Sequence, residues 1–267
     1  MSGRQIGVVR ELWRYPVKSL RGESLTEANL TERGLEGDRH WALRELDRGG
    51  IMSARIWAGL LQLRATRDDR GGNDDALVRI ELPDGRALDV TDPATPDVLA
   101  ELLGRKVELA QVRCERLSAT ELDAVIRGDA YPPKRDFFDE DVIHIIASGT
   151  ITHLRTLKPD SDFDPRRFRA NILIDTGAEA DGFIEDRWLD GVLEIGPSVK
   201  INWMRPAIRC VMTTHAQPDL PRDMAILRTA AQAHDAYVGV FAAVGATGRI
   251  RVGDPVVLHS EGASHHE

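Results

Sequence analysis

Cys210 is the side chain in this sequence with the best setting for nucleophilic or metal-binding chemistry. It follows a predicted strand and is adjacent to Arg209, whose guanidinium favours the thiolate, the form of cysteine that attacks substrates and binds metals. The alternative is an inert buried cysteine, a common fate of a free thiol. Cys114 has Arg113 and Arg116 beside it, so neighbouring charge does not separate the two thiols. Because Cys114 lies in a predicted connector, it is the weaker candidate.

Three other segments place cationic side chains together with hydroxyl, carboxyl or amide groups next to predicted strands. They hold Lys18 and Ser19 in 15–20, Asp38 and Arg39 in 34–43, and Arg169 and Asn171 in 166–174. Arg169 and Asn171 are two residues apart in a predicted strand, so we expect them on one face. That pair suits an anion that carries a hydrogen-bonding ring, although each segment alone also fits a surface salt bridge or a turn. His144 lies in an apolar predicted strand and fits a core histidine better than a ligand.

Composition and missing motifs exclude several classes of protein. Two cysteines among 267 residues rule out a disulfide framework, a four-cysteine zinc site and an iron–sulfur cluster held by four thiolates. A net charge of −8 without a basic block argues against nucleic acid as a partner. No apolar run approaches the roughly 18 residues that span a bilayer, and the first residues lack a signal region. We therefore expect a cytoplasmic protein without a membrane association. Nucleophile-elbow, Walker A, dinucleotide-binding and zincin motifs are all missing.

Short apolar or alternating runs predict many strands and few helices, which is typical of a β-rich α+β fold rather than repeated βαβ units. The predicted strands are 6–15, 40–45, 60–65, 76–82, 87–90, 106–111, 142–147, 170–174, 192–195, 199–205, 238–244, 249–252 and 256–259. The predicted helices are 95–103, 150–157 and 224–233. An irregular stretch at 114–141, interrupted by Pro132 and Pro133, predicts the boundary between two substructures.

Six motifs in register give the chain a resemblance to a known family. They are Tyr-Pro-Val-Lys-Ser at 15–19, Gly-Asp-Arg-x-Trp at 37–41, Ser-Ala-Arg at 53–55, Phe-Arg-x-Asn at 168–171, Arg-Cys-x-Met-Thr-Thr at 209–214 and Gly-Asp-Pro-Val at 253–256. Together they resemble the MOSC family with its N-terminal MOSC β-barrel domain, in the branch of the mitochondrial amidoxime-reducing components and their bacterial counterparts. The resemblance runs from Val8 to Leu258.

The resemblance implies a MOSC β-barrel domain packed on a smaller N-terminal mixed β domain. It places the N-terminal domain in residues 1–115, the MOSC domain in 116–260 and a flexible tail in 261–267. Residues 1–40 either stay with the first domain or pack with the C-terminal barrel, and both arrangements remain open.

The resemblance also implies a molybdenum cofactor, a pyranopterin dithiolene with a terminal phosphate. Cys210 would be the protein ligand to the metal, since a thiophilic site favours a soft thiolate. The residues that match family positions around the phosphate and pterin are Lys18, Ser19, Arg39, Arg169 and Asn171, with hydroxyls from Ser148 and Thr150. Arg55, Arg209 and Asp254 match by motif position only.

The activity implied is reduction of a small N-hydroxylated compound by oxygen-atom transfer. Because this sequence cannot supply four thiolates for an iron–sulfur cluster of its own, the electrons would come from a separate protein of ferredoxin or cytochrome b5 type. One alternative is a carrier of the cofactor or of a persulfide on Cys210, without reductase turnover. Another is a degenerate binding module.

Overall fold

The regular structure consists of sixteen strands and three α-helices in the described part of a computed structural model, which covers residues 3–47, 50–69, 77–111, 142–177 and 182–260. The strands are β1 Gly3–Arg14, β2 Glu23–Leu25, β3 Glu27–Thr31, β4 Gly34–Leu35, β5 Trp41–Glu45, β6 Arg64–Asp68, β7 Leu77–Glu81, β8 Ala87–Asp89, β9 Val107–Gln111, β10 Ile143–Ala147, β11 Ile172–Asp175, β12 Gly191–Ile195, β13 Val199–Ile208, β14 Tyr237–Ala246, β15 Gly248–Arg251 and β16 Pro255–Ser260. The helices are α1 Thr95–Leu103, α2 Ser148–Leu157 and α3 Ala225–His234. The prediction of a β-rich α+β fold is confirmed.

A closed barrel forms the larger unit. Its seven strands follow the order β11-β10-β14-β13-β12-β16-β1, and β1 closes the ring by pairing with β11. Because β1 pairs antiparallel with both β11 and β16, the first strand of the chain is part of a barrel otherwise built from C-terminal strands. Of the two arrangements left open for residues 1–40, the structure therefore has β1 packed with the C-terminal barrel.

Strand β10 is buried on both faces, which explains its nearly continuous apolar sequence. Ile143, Ile145 and Ala147 point into the barrel core, whereas Ile146 packs outward with residues of α2 and α3. The two helices thus cover the outer face of the strand that carries His144.

The smaller unit has its own apolar core. It contains the pair β5–β9, the three-stranded sheet β6-β7-β8 and helix α1. Val17 and Leu20, which follow β1, are fully buried in this core. The segment between them is therefore held where the barrel and the smaller unit meet.

One predicted strand is wrong in its first half, and another begins later than predicted. Residues 60–65, predicted as a strand, begin inside a 3₁₀ turn, Ala58–Gln62, and β6 starts only at Arg64. Strand β11 starts at Ile172 rather than residue 170, because Arg169 adopts a left-handed backbone with φ of 57° that interrupts an extended chain. The expected domain boundary at 115/116 and the tail 261–267 lie outside the described residues. Among the described helices, none is long and apolar enough to cross a membrane.

Candidate functional site

A cavity of about 450 Å³ lies where the barrel meets the smaller unit, and it collects residues from all four chemistry-bearing segments. Eight of the eleven side chains predicted for the site line it: Lys18, Ser19, Arg39, Arg55, Arg169, Asn171, Arg209 and Cys210. Four of these belong to the first 60 residues and four to the region after residue 165. The cavity is therefore a product of the tertiary contact between distant parts of the chain.

The Lys18–Ser19 loop is held by buried neighbours on both sides. The Lys18 N–H donates to the carbonyl of Trp41 at 2.7 Å, and the Leu20 N–H donates to the carbonyl of Val17 at 3.3 Å. Ser19 is buried and has a φ of 67°. The tight backbone presents the ammonium and the hydroxyl to the cavity.

Arg39 is positioned by Asp38 and Tyr15. The Asp38 carboxylate, which is fully buried, accepts a hydrogen bond from the Tyr15 N–H at 2.6 Å and forms an ion pair with the Arg39 guanidinium. The Arg39 N–H donates to the Tyr15 carbonyl at 2.7 Å. This network fixes the guanidinium at the cavity wall.

Arg169 is a buried cation with a donor left over. Its Nη1 donates to the Leu20 carbonyl at 2.5 Å, and its guanidinium carbon lies 4.1 Å from the centre of the Tyr15 ring. Nη2 is buried and has no hydrogen-bond partner among the described residues. Burial lowers the pKa of Arg169 to about 10 and raises that of Tyr15 to about 12. A buried cation with a spare donor favours an anionic ligand in the cavity.

Backbone strain is concentrated at this cavity. Six non-glycine residues in the described ranges have a left-handed φ, and three of them, Ser19, Arg39 and Arg169, line it. Such conformations cost about 1–3 kcal/mol each and persist where the surrounding structure imposes them, typically at functional sites.

Cys210 lies two residues after the end of β13 and is only partly buried. Its carbonyl accepts hydrogen bonds from both the N–H and the Oγ1 of Thr213, each at 3.1 Å. Met212 packs against the core of the smaller unit. These contacts on the two sides of Val211 hold the thiol at the junction, where it faces the cavity.

Asn171 and Arg55 differ in how they meet the cavity. The Asn171 amide oxygen accepts from the His144 N–H at 3.2 Å, and its Nδ2 donates to the Trp13 carbonyl at 3.2 Å. Both polar groups therefore already have barrel partners. Arg55 is exposed at the cavity surface.

The expected strand geometry for Arg169 and Asn171 is wrong, since neither lies in β11, yet both line the cavity.

Ser148 and Thr150 do not line the cavity. They lie in the first turn of α2, where the Ser148 hydroxyl donates to Asp175 at 3.3 Å and that of Thr150 donates to the carboxylate of Glu185. Asp254 is also elsewhere: its carboxylate accepts from the Arg251 N–H at 2.8 Å in the turn before β16. The helix begins immediately after β10 and turns these hydroxyls toward Asp175 and Glu185.

The buried Glu185 leads to a prediction about stability. Burial raises its pKa to about 7, against hydrogen bonds from the Ala147 N–H and the Thr150 hydroxyl. A carboxyl whose pKa rises from 4.5 on folding destabilises the protein as pH increases through that interval, by up to about 3 kcal/mol. We expect Glu185→Gln to abolish most of this pH dependence and to be the more stable protein at pH 8.

Urea unfolding at pH 5 and pH 8 measures this effect. Asp190→Asn, which changes an exposed carboxylate to an amide in the same region, is the matched control and should follow the wild type. An identical pH dependence for wild type and Glu185→Gln would contradict the prediction.

His144 and Phe241 are cavity residues that sequence reasoning missed. The apolar strand pattern predicts a core position for His144, and it is indeed buried. The available signal was a lone polar side chain within an apolar strand. No cluster of three or more His, Cys, Asp or Glu side chains suited to a metal occurs among the described residues. Cys210 is thus the protein thiol that the described chain offers to a metal.

Two family models match successive parts of the chain. The MOSC N-terminal beta barrel domain matches residues 6–130, and the MOSC domain matches residues 132–257. Together they cover nearly the whole sequence.

Relatives and a solved structure agree with these matches. The mitochondrial amidoxime reducing component 2 of Bos taurus is 25% identical over 95% of this chain and 83% of its own length. The mitochondrial amidoxime-reducing component 1 of Homo sapiens is 24% identical over 81% of this chain and 68% of its own. The crystal structure of the YUAD protein from Bacillus subtilis has a TM-score of 0.50 at 12% identity and covers 98% of this chain and 99% of that one, which shows a shared fold.

Proposed function

Because this chain belongs to the MOSC family, we propose that it is a molybdenum-cofactor-dependent oxidoreductase that reduces small N-hydroxylated compounds by oxygen-atom transfer. The distant relatives named amidoxime-reducing components suggest the substrate class. The observation that carries the proposal is the cavity, in which a partly exposed thiol lies together with strained, cationic side chains from both units.

The donor set of the cavity fits the cofactor. A phosphate needs charge-assisted donors, and Lys18, Arg39 and Arg169 provide cations, one with a buried donor that no described residue satisfies. A thiophilic metal needs a soft ligand, and Cys210 supplies one in the same cavity. When bound, the cofactor would supply the two-electron redox chemistry that these side chains lack.

The protein's own residues then have distinct tasks. Lys18, Arg39 and Arg169 would bind and orient the anionic end of the cofactor, and Asp38 holds Arg39 in place for that purpose. Cys210 would be the metal ligand. Overall, reduction of an amidoxime consumes two electrons and two protons, breaks the N–O bond and releases the amidine and water.

We assign the supply of electrons to a separate protein of ferredoxin or cytochrome b5 type. This sequence contains two cysteines, and a plant-type iron–sulfur cluster needs four. Turnover is therefore expected with a reduced viologen as an artificial donor, but not with NADH or NADPH alone.

The test uses protein made in a host that synthesises the cofactor. We expect about one molybdenum and one pterin per chain, by elemental analysis and by the fluorescence of the oxidised pterin, and viologen-dependent conversion of an amidoxime to its amidine. Metal near zero from such a host would contradict cofactor binding. Full loading without amidine formation would contradict the reductase assignment.

A carrier of sulfur is the second candidate, supported by the partial exposure of Cys210 at the cavity. In that case Cys210 would hold a persulfide, and a thiol-reactive tag followed by mass spectrometry would detect the extra sulfur. Persulfide on Cys210 in protein that lacks molybdenum would favour this function over the reductase.

A further inference from the structure

A second cavity, of about 220 Å³, shares Arg169 with the cavity that contains Cys210. Its other charged lining residues are Arg21, Arg64 and Arg166, and no Asp or Glu of the described chain lines it. The volume is below the range of about 300–1,000 Å³ that is typical of sites for drug-sized ligands. The second cavity therefore suits a small ion better than an organic cofactor.

Two of these four arginines have no carboxylate partner among the described residues. Arg21 donates from Nε to the Leu61 carbonyl at 3.1 Å and from Nη2 to the Gln62 carbonyl at 3.3 Å. Arg169 donates from Nη1 to the Leu20 carbonyl at 2.5 Å, and its buried Nη2 has no described partner. Carbonyl groups satisfy single donors, but the positive charge of each guanidinium stays without a counter-ion.

The other two arginines are held by ion pairs with residues that do not line the cavity. Arg166 pairs with Asp164 and with Asp219, at 2.6 Å each, and Arg64 pairs with Glu81 at 3.3 Å. These contacts position two guanidiniums at the wall of the second cavity. The lining is thus cationic, and its nearest described carboxylates are already paired.

The charge of Arg21 is opposed by its surroundings. Burial, followed by the positive charge of Arg64, lowers the pKa of Arg21, and the carboxylates of Asp219 and Glu81 offset this only in part. A negative ion in the cavity would reverse the repulsion between the two guanidiniums. Bound anions on such a site are held by charge-assisted hydrogen bonds, for which the planar guanidinium is well suited.

Gln217 adds a neutral donor to the lining. Its side chain is buried and lines the second cavity but not the first. The main chain is fixed at this point, because the Gln217 N–H donates to the Leu220 carbonyl at 2.8 Å and the Leu220 N–H donates to the Gln217 carbonyl at 3.1 Å. The side-chain amide can donate to an oxyanion.

We propose that the second cavity binds a small oxyanion of phosphate or sulfate type, through the guanidiniums of Arg21 and Arg169 and the amide of Gln217. Such an ion would join three distant segments of the chain: the loop after β1, the segment before β11 and the loop after Cys210. The site is independent of the proposed function, and it is tested on the full chain made in a host that does not synthesise the molybdenum cofactor.

The first experiment locates the ion. Crystals of the cofactor-free wild type are soaked in selenate, an analogue of sulfate and phosphate whose selenium is found by anomalous scattering. We expect a peak within hydrogen-bond distance of Arg21 and Arg169 in the second cavity. A peak confined to the first cavity, or no peak in either, would overturn the proposal.

The second experiment measures affinity for inorganic phosphate by titration calorimetry. Lys18→Met is the reference protein, because it removes a cation that lines the first cavity only. Adding Gln217→Glu places a carboxylate of the same shape in the second cavity, where it takes the role of the anion and repels phosphate. We expect phosphate to bind at least about tenfold more weakly to this double variant, as for the loss of a hydrogen bond to a charged group.

Gln5→Glu in the same reference protein is the matched control, since it makes the same change of charge at an exposed position of β1. It should bind phosphate like the reference, and thermal unfolding shows whether each variant is folded. Equal affinity with and without Gln217→Glu would overturn the proposal. A selenate peak in the wild type without measurable binding of phosphate in solution would show an adventitious ion only, and it would overturn the proposal too. If Gln217→Glu does not fold, the crystals of the wild type decide.

Discussion

Replacing Cys210 with alanine is expected to remove molybdenum from the protein and to abolish amidoxime reduction. The thiol lines the cavity, and no alternative cluster of metal-binding side chains occurs in the described ranges. Loss of a residue that merely supports a ligand costs about 10–100-fold in metal affinity or activity, so loss of the ligand itself should cost at least about 100-fold. Bound pterin should decrease less than metal, since the cationic side chains that hold the phosphate remain.

Two further variants make this experiment specific. Cys210→Ser keeps the volume but replaces a soft ligand with a hard one, and we expect it to resemble Cys210→Ala in metal content. Cys114→Ala is the matched control and should load normally; Cys114 lies outside the described residues. Loss of metal in Cys114→Ala but not in Cys210→Ala would show that the other thiol is the ligand.

Replacing Arg169 with methionine is expected to lower bound pterin and bound metal together, whereas replacing Cys210 should lower mainly the metal. Arg169 brings a buried positive charge and a donor without a described partner to the cavity. Charge-assisted hydrogen bonds contribute about 1.5–3 kcal/mol, so we expect at least about a tenfold decrease in bound pterin. Quantification of the pterin after denaturation measures this directly.

The stability of the cofactor-free protein should change little in Arg169→Met. Burial lowers the pKa of the guanidinium, which means that folding already opposes the charge. Removing that charge therefore offsets the absence of the hydrogen bond to Leu20 and of the stacking on Tyr15. We expect the free energy of unfolding to stay within about 1 kcal/mol of the wild type. Arg166→Met, which removes a more exposed arginine ion-paired with Asp164 and Asp219, is the control for pterin content. Undiminished pterin in Arg169→Met would contradict the assignment.

Residue types and their order in short motifs were sufficient to predict most of the side chains that line the cavity. Motifs that contain Lys18, Arg39, Arg169 and Cys210 are recognisable from a few consecutive residues, because each combines a turn with a side chain of specific chemistry. Eight of the eleven predicted side chains do line one cavity.

The structure departs from two expectations about the site, and in each case the reason is the conformation of the backbone. The family resemblance puts Ser148 and Thr150 at the cavity, but the helix that starts at Ser148 turns them toward Asp175 and Glu185. The expected geometry of Arg169 is wrong because its left-handed backbone is imposed by surrounding contacts rather than by its residue type.

Apolar periodicity by itself determined the β-rich class of this protein, because strand patterns are local properties. The six motifs supplied the residue types of its site, and they indicated the family through their resemblance to it. Only the tertiary structure decided that β1 closes the barrel beside β11 and β16, which brings the Lys18 loop to the segment containing Arg169. It also decided that His144, which local sequence assigns to the core, faces Arg209 across the cavity wall. Contacts between residues more than sixty positions apart depend on the packing of whole strands, and no local pattern specifies that packing.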